Sequence, residues 1–481
     1  MIVRNKIIFI LLIILSFVSF RSTHSIRSTT PNIVIIFFDD LGYGDLSCYG
    51  ALDIQTPLMD HLAHEGIRFT NFLSAQAVCS ASRAALLTGC YPNRIGIYGA
   101  LNPDSKIGIG NTEITLADVL RNKGYHTAIY GKWHLGDHRE NLPLQHGFDE
   151  YFGIPYSNDM WPVNYDGTPA NEGPKLRFPT LPLITNNVKT DSVMTLEDQA
   201  KLTKRYTQKA VAFIQKNKNH PFFLYMPHSM PHVPINASHD FKGSSRQGLY
   251  GDVIQELDWS VGQIVQTLKK NKLDKNTLIL LTSDNGPWLN FGNHSGNTGG
   301  FREGKGTTFE GGHRVPFIAR WKGTLPEGMV CNQLCSTIDF LPTIATLTGC
   351  PLPPLKIDGV DISSLFFNPQ GVSPRSLFYY YYRQNSLEAI RKDNWKLVFE
   401  HPGRSYKNQI PGHDGFPGPL PENEPINPGL YDLRRDPGEQ YDVSLDHPEI
   451  IAELMKLADD ARKDLGDDLK NIKGSGRRNV H

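Results

Sequence analysis

Residues 32–38 read NIVIIFF, and after the opening asparagine no polar residue interrupts the run. A strand with one wet face alternates apolar and polar side chains. This run has no wet face, so it belongs inside a sheet covered on both sides, the habit of parallel strands flanked by helices. Comparable runs recur at 125–130, 221–226 (PFFLYM), 276–282 (NTLILLT) and 315–321 (VPFIARW), with a short one at 69–72. Helical patterns stand among them at 57–65, 115–123, 196–218, 251–271 and 338–347. The repeated unit is strand, polar loop, helix. It predicts an α/β fold with a large mixed, mostly parallel sheet flanked by helices. Ligands of such sheets sit beyond the carboxyl ends of the strands.

The loops at those ends carry the polar residues of interest. Asp39 and Asp40 follow the first run directly. Adjacent carboxylates repel, and a hard cation relieves the repulsion. Lys132 and His134 follow 125–130 in GKWHLG, and His228 and His232 follow 221–226. Asp284 and Asn285 follow 276–282, and Lys305 lies in the glycine-rich stretch that ends at Gly312. Asp39, Asp40, Asp284 and Asn285 offer only oxygen, which suits Ca2+ or Mg2+ rather than zinc. Arg83, Lys132 and Lys305, with His134 and His232, add positive charge. One hard cation among basic side chains makes a pocket for a small oxyanion. Phosphate and sulfate esters both answer that description.

Residues 79–89, CSASRAALLTG, read as a short helix that Gly89 stops. Cys79 stands at its N-terminus, a position that favours anions and lowers a thiol pKa. Arg83 follows one turn later, toward the same side.

Lys+Arg and Asp+Glu both number 49 in the 481 residues, a balance that gives no support to nucleic-acid binding. Six cysteines, at 48, 79, 90, 331, 335 and 350, are too few for a disulfide-stapled scaffold. Residues 1–27 place Arg4 and Lys6 ahead of an apolar run at 7–20, which predicts a secretory signal peptide. The run is short for a membrane span, and no other stretch approaches that length. The expectation is a secreted or periplasmic protein, or a lysosomal-type compartment in a eukaryote. Asn236 and Asn293 open glycosylation sequons. Residues 160–190, rich in Pro, Asn and Gly, read as an irregular surface or substrate-rim insertion. The rhythm changes after residue 365, where short strands are expected at 377–382, 388–392, 395–399 and 429–433, with a Gly/Pro-rich loop at 402–428. A helix at 450–465 and a frayed basic tail close the chain. The predicted division is a signal peptide at 1–27, a catalytic domain at 28–368 and a small α+β subdomain with an antiparallel sheet at 369–481.

Eight segments in order resemble the formylglycine-dependent, type I sulfatases, within the wider group of phosphatase-like metalloenzymes. They are NIVIIFFDDLGYGDLSCYG, the Cys79 motif, YGKWHLG, FGIPYS, MPHSMPHVP, SDNG, GKGTTFEGGHRVPFIARW and LYDLRRDPGE. The likeness is to the arylsulfatase A and N-acetylgalactosamine-6-sulfatase branch. It implies an alkaline-phosphatase-like core and a sulfated small molecule or glycan as substrate. It implies that a formylglycine-generating maturation enzyme oxidises Cys79, whose hydrate then attacks sulfur. One Ca2+ would be held by Asp39, Asp40, Asp284 and Asn285, with the modified Cys79 completing the shell. Arg83 and Lys132 would stabilise the hydrate, and His134 would act as base. His232 and Lys305 would hold sulfate oxygens and assist the leaving oxygen, and Ser157 would hydrogen-bond beside them. Ala81 stands where many members carry proline, which bears on the maturation enzyme that accepts the segment. Two other readings compete: a phosphoester or phosphonate hydrolase of the same superfamily, and a non-catalytic, secreted carbohydrate-binding relative.

Overall fold

The apolar run at 32–38 lies where its burial demands, in the middle of the largest sheet. The computed structural model describes residues 30–478, so the signal peptide expected at 1–27 lies outside the described residues. The first twelve strands are β1 (Asn32–Phe38), β2 (Ile67–Phe69), β3 (Phe72–Leu73), β4 (His126–Lys132), β5 (Glu150–Ile154), β6 (Leu181–Thr185), β7 (Val188–Val193), β8 (Phe222–Pro227), β9 (Thr277–Ser283), β10 (Phe317–Arg320), β11 (Met329–Cys331) and β12 (Cys335–Ser336). Ten of them form one sheet in the order β11-β2-β10-β9-β1-β8-β4-β5-β6-β7, and β12 pairs with β3. Its centre, β9-β1-β8-β4-β5, is parallel. β10 runs antiparallel to β9 and β2, and β6 antiparallel to β5 and β7.

Helices cover both faces, which is why β1 needs no polar side. The α-helices of the described residues are α1 (Pro57–His64), α2 (Cys79–Thr88), α3 (Leu116–Asn122), α4 (Leu196–Ala200), α5 (Leu202–Lys216), α6 (Gly248–Lys270), α7 (Glu310–His313), α8 (Phe340–Thr348), α9 (Ser363–Phe367) and α10 (Pro448–Leu465), the last of which packs on the C-terminal strands. Ile33, Ile35 and Phe37 join a core with Leu86 of α2, Leu120 of α3 and Ile344 of α8. Val34, Ile36 and Phe38 join one with Leu62 of α1, Phe213 of α5 and Leu257 of α6. Each such side chain contributes about 1.5–3 kcal/mol on burial.

Four expectations change. The strand at 69–72 is two strands, β2 and β3, in different sheets. The helix at 196–218 breaks at Lys201 into α4 and α5. The insertion at 160–190 is not all irregular: β6 and β7 form a hairpin that extends the main sheet at its edge. The strand at 125–130 runs on through Gly131 and Lys132, paired with Gly153 and Ile154 of β5. That extension needs glycine. Gly131 has φ 143°, and a Cβ there would lie 1.9 Å from the Pro227 carbonyl oxygen. Gly131→Ala is therefore expected to cost about 2–3 kcal/mol by overpacking and to displace Lys132. Denaturant unfolding with a parallel activity assay checks both.

The C-terminal strands are β13 (Leu377–Tyr382), β14 (Ser386–Lys392), β15 (Trp395–Val398), β16 (His401–Gly403), β17 (Glu424–Ile426) and β18 (Gly429–Asp432). β13-β14-β15-β18 is an antiparallel sheet, and β16 pairs with β17. Its core includes Tyr380, Ile390 and Leu397 with Leu454 and Ala458 of α10. Leu73 of β3, Ala85 of α2 and Ile338 from the first part of the chain join the same cluster, so the C-terminal sheet packs against α2 and its surroundings. The tail as far as Arg478 is docked rather than frayed: Arg477 Nη2 donates to Tyr98 Oη at 2.6 Å, and Arg478 pairs with Glu113 at 2.8 Å. Asn236 is buried and donates to the Leu196 carbonyl, while Asn293 is exposed. No helix among the described residues is long and apolar enough to cross a membrane.

Candidate active site

The polar residues expected at the strand ends do meet there. Asp39 and Asp40 follow β1, Asp284 and Asn285 follow β9, β4 ends on Lys132, and α2 starts at Cys79. Cys79, Arg83, Lys132, His134, Ser157, His232, Lys305 and all four proposed metal ligands are buried. Asp40 and His134 have positive φ, 65° and 61°, a left-handed conformation that costs a residue with a Cβ about 1–2 kcal/mol. Fixed partners hold both. Asp40 N–H donates to Asp284 Oδ1 at 3.0 Å, and His134 N–H to the Pro155 carbonyl at 3.0 Å.

Asp39 is the hub. Lys132 Nζ donates to its Oδ2 at 2.6 Å, and Arg83 Nη2 lies 3.4 Å from its Oδ1. Arg83 Nη2 is closer to Asp284 Oδ2, at 2.7 Å, and Nη1 donates to the Lys132 carbonyl at 3.0 Å. Asp40 accepts from Lys305 Nζ at 2.9 Å and from Asn285 Nδ2 at 2.7 Å, with His232 Nε2 at 3.6 Å. The Cys79 thiol lies between these two groups, 3.5 Å from Asp39 Oδ1 and 3.4 Å from Lys305 Nζ. Ser157 Oγ accepts from Lys132 Nζ at 3.0 Å.

Burial alone would raise the Asp39 carboxyl, but Lys132 and Arg83 hold it well below the usual carboxylate range. Burial, then the charge of Asp39, pushes the Asp284 carboxyl up. Burial disfavours the Lys305 ammonium, yet Asp40 and its neighbours keep it charged well beyond the usual lysine range. The Cys79 expectation is overturned. Burial pushes its thiol up, and the cations Lys132 and Lys305 do not compensate. A helix N-terminus offers a partial charge, which is weaker than full desolvation.

The imidazoles are fixed by carbonyls. His134 Nε2 faces the Leu101 carbonyl at 2.9 Å, so it carries the proton. Its Nδ1 is buried without a partner. Burial, with Lys132 and Arg83, keeps this ring neutral by lowering its pKa well below the ordinary histidine value. His232 Nδ1 lies 2.6 Å from the Val233 carbonyl, leaving Nε2 toward Asp40. His228 takes a structural place, stacked on Phe38 at 5.7 Å. His313 and Arg314, next along the chain from Gly312, are buried too, His313 against the Ser74 carbonyl and Tyr380, Arg314 against Glu310.

The donors fit a metal ion. Ligand atoms of Asp39, Asp40, Cys79 and His232 lie within 4.8 Å of one another. Asp39, Asp40 and position 79 are expected in the shell from the sequence, and the fold adds the His232 imidazole. Asp284 and Asn285 stand beside that group, hydrogen-bonded to Asp40. Asn285 spends Nδ2 on Asp40 and on the Gly286 carbonyl, and its Oδ1 is buried with no hydrogen-bond partner. A buried carbonyl oxygen without a donor is costly, and a cation held among these carboxylates would satisfy it.

Three neighbours escaped the sequence reading. Lys305 Nζ lies over the Trp288 ring, 4.7 Å from its centroid. Arg404 and Tyr406 both donate to the Lys305 main-chain carbonyl. The position of Trp288, three residues past Asn285, was a usable signal. Nothing local marks the other two.

A family model described as Sulfatase matches residues 31–350, and one described as the C-terminal region of aryl-sulfatase matches 373–476. Arylsulfatase A of Bos taurus is 38% identical over 448 residues, which cover 89% of this chain and 86% of that protein. N-acetylgalactosamine-6-sulfatase of Canis lupus familiaris is 37% identical over 455 residues, covering 89% and 84%. The crystal structure of the PsFucS1 sulfatase from Pseudoalteromonas sp. matches with a TM-score of 0.80 at 29% identity, over 90% of each chain. Likeness of this extent takes in both the sheet that gathers the strand-end cluster and the C-terminal antiparallel sheet, and it makes the chain a member of the sulfatase family, an enzyme that hydrolyses sulfate esters.

Proposed function

We propose that this sulfatase releases inorganic sulfate from an aryl or carbohydrate ester, using a formylglycine made from Cys79 beside one Ca2+. The observation that carries the reading is the setting of Cys79, first residue of α2, between Asp39 and Lys305. Asp39, Asp40, Asp284 and Asn285 are the residues to hold the ion, and the unpartnered Oδ1 of Asn285 supports that set. Bound there, Ca2+ supplies Lewis acidity toward the sulfate oxygens. A hydrated aldehyde at position 79 supplies an oxygen nucleophile in place of a thiol that burial keeps protonated.

The chain's own residues do the rest. Lys132 and Arg83 fix Asp39 and compensate negative charge around position 79. Ser157, bonded to Lys132, offers a hydroxyl on the same side. His134, neutral and with Nδ1 free, accepts a proton. Lys305 and His232 face sulfate oxygens and the leaving oxygen, where a permanent ammonium offsets developing charge. Maturation calls for a formylglycine-generating enzyme that accepts Ala81. The leader at 1–27 would send the chain to the periplasm, the outside or, in a eukaryote, a lysosomal-type compartment, with the catalytic domain at 28–368 and the α+β subdomain at 369–481.

Protein from its native host should yield, on digestion, a Cys79 peptide whose aldehyde couples to a hydrazide. Finding only the free thiol there would sink the mechanism. A panel of aryl sulfates and 4- or 6-sulfated sugars, with matched phosphate monoesters, should show the faster release from sulfates. Faster phosphate release would favour a phosphoester hydrolase.

A further inference from the structure

We propose that Arg404 and Tyr406, on the loop between β16 and β17, are positioning residues for Lys305, so that the C-terminal region forms part of the catalytic apparatus. The inference rests on the role given above to Lys305. That side chain is long and has many rotamers, yet its Nζ must stay near Asp40 and position 79 together. A fixed main chain narrows the choice.

The Lys305 carbonyl accepts from Tyr406 Oη at 2.7 Å and from Arg404 Nη1 at 3.1 Å. Its N–H donates to the Pro287 carbonyl at 2.9 Å, two residues past Asn285. The next N–H, of Gly306, donates to the Ala77 carbonyl at 2.9 Å, two residues before Cys79. Two of these anchors belong to active-site loops, and the third comes from a segment a hundred residues later in the chain. The fit has no slack: Gly306 has φ 77°, and a Cβ there would lie 2.4 Å from Arg404 Nη1.

The donors are themselves held. Arg404 Nη2 pairs with Glu422 at 2.8 Å. Tyr406 N–H and Ser405 Oγ donate to Glu303, two residues before Lys305, at 2.6 and 2.8 Å. Farther along the loop, Gly412 and Gly418 N–H both donate to the Asn290 carbonyl, at 2.9 and 2.7 Å. The loop is thus stitched to two segments of the site by polar contacts. It is not filling a core: its apolar residues Ile410 and Phe416 are 82% and 53% exposed.

The test uses the full-length, matured enzyme and a double-mutant cycle. Tyr406→Phe removes one hydroxyl from the Lys305 carbonyl. It should lower kcat about fivefold to tenfold on a sugar sulfate, the size of one buried hydrogen bond, with little change in KM. The loss should be smaller on 4-nitrophenyl sulfate, whose leaving group needs less help. In a Lys305→Ala background, Tyr406→Phe should cause no further loss. Arg404→Lys should retain more activity than Arg404→Met at equal melting temperature. The proposal is overturned if Tyr406→Phe costs the same factor with and without Lys305, or costs both substrates equally while lowering the melting temperature. If Lys305→Ala alone keeps full turnover, the role given to Lys305 fails and takes this proposal with it.

Discussion

Cys79→Ala is expected to leave a folded protein that releases no measurable sulfate. The thiol's hydrogen bonds are long, at 3.5 Å to Asp39 and 3.4 Å to Lys305. Losing them, with the small void left by sulfur, should cost about 1 kcal/mol, the ordinary size for a point change. Turnover is another matter, because removing a nucleophile that acts with its neighbours as a unit costs on the order of 10⁴-fold or more. Ser157 does not replace it, because its Oγ accepts from the Lys132 ammonium, which lowers its nucleophilicity. The unconverted thiol is no substitute, since burial raises its pKa and leaves it protonated near neutrality. Wild-type chain made in a host without a compatible maturation enzyme should therefore match Cys79→Ala. Sulfate release, thermal denaturation and the mass of the Cys79 peptide, measured on all three proteins, decide it. An alanine variant that kept more than about a hundredth of wild-type turnover would be incompatible with covalent catalysis at this position.

The sheet was legible because burial on two faces leaves a compositional mark. β1, β8 and β9 are near-continuous apolar runs, and all three lie in the parallel centre. The end of β4 was not, because Gly131 and Lys132 look like a loop until Gly153 and Ile154 supply their partners. The same limit applies to the site. Strand ends pointed to Asp39, Asp40, Lys132, Asp284 and Asn285, and the fold brings them together. Arg83 was read from helical spacing as a neighbour of Cys79. Its closest ionic contact is instead Asp284, 201 residues away. The thiol pKa went wrong for a related reason, since helix position is local and desolvation is tertiary. The loop at 402–428 hid best. Its glycines and prolines report only an irregular path, while its hydrogen bonds to Lys305, Glu303 and Asn290 depend on a meeting of distant segments.

Asp39→Asn should separate the proposed ion from the proton chemistry around it. In the wild type Asp39 answers two buried cations, Lys132 at 2.6 Å and Arg83 at 3.4 Å. An amide of the same shape leaves them short of one negative charge. Breaking a buried pair in this way costs about 3–5 kcal/mol, so the variant should melt lower than the wild type even in chelator. The informative quantity is the response to added metal. A ligand that binds only the folded state stabilises it by about 2.7 kcal/mol at 100 times its Kd. Ca2+ should therefore raise the wild-type melting temperature after chelator treatment. Asp39→Asn, with one anionic donor fewer among Asp39, Asp40 and Asp284, should show little or none of that rise. Zinc provides a second arm. The fold places His232 near the carboxylates, and a site that uses its imidazole would favour zinc. A site that uses Asn285 Oδ1 and the carboxylates should respond to Ca2+ at the lower concentration. An equal Ca2+-induced rise in both proteins would remove Asp39 from the ligand set. A larger zinc response in the matured wild type would reassign the ion.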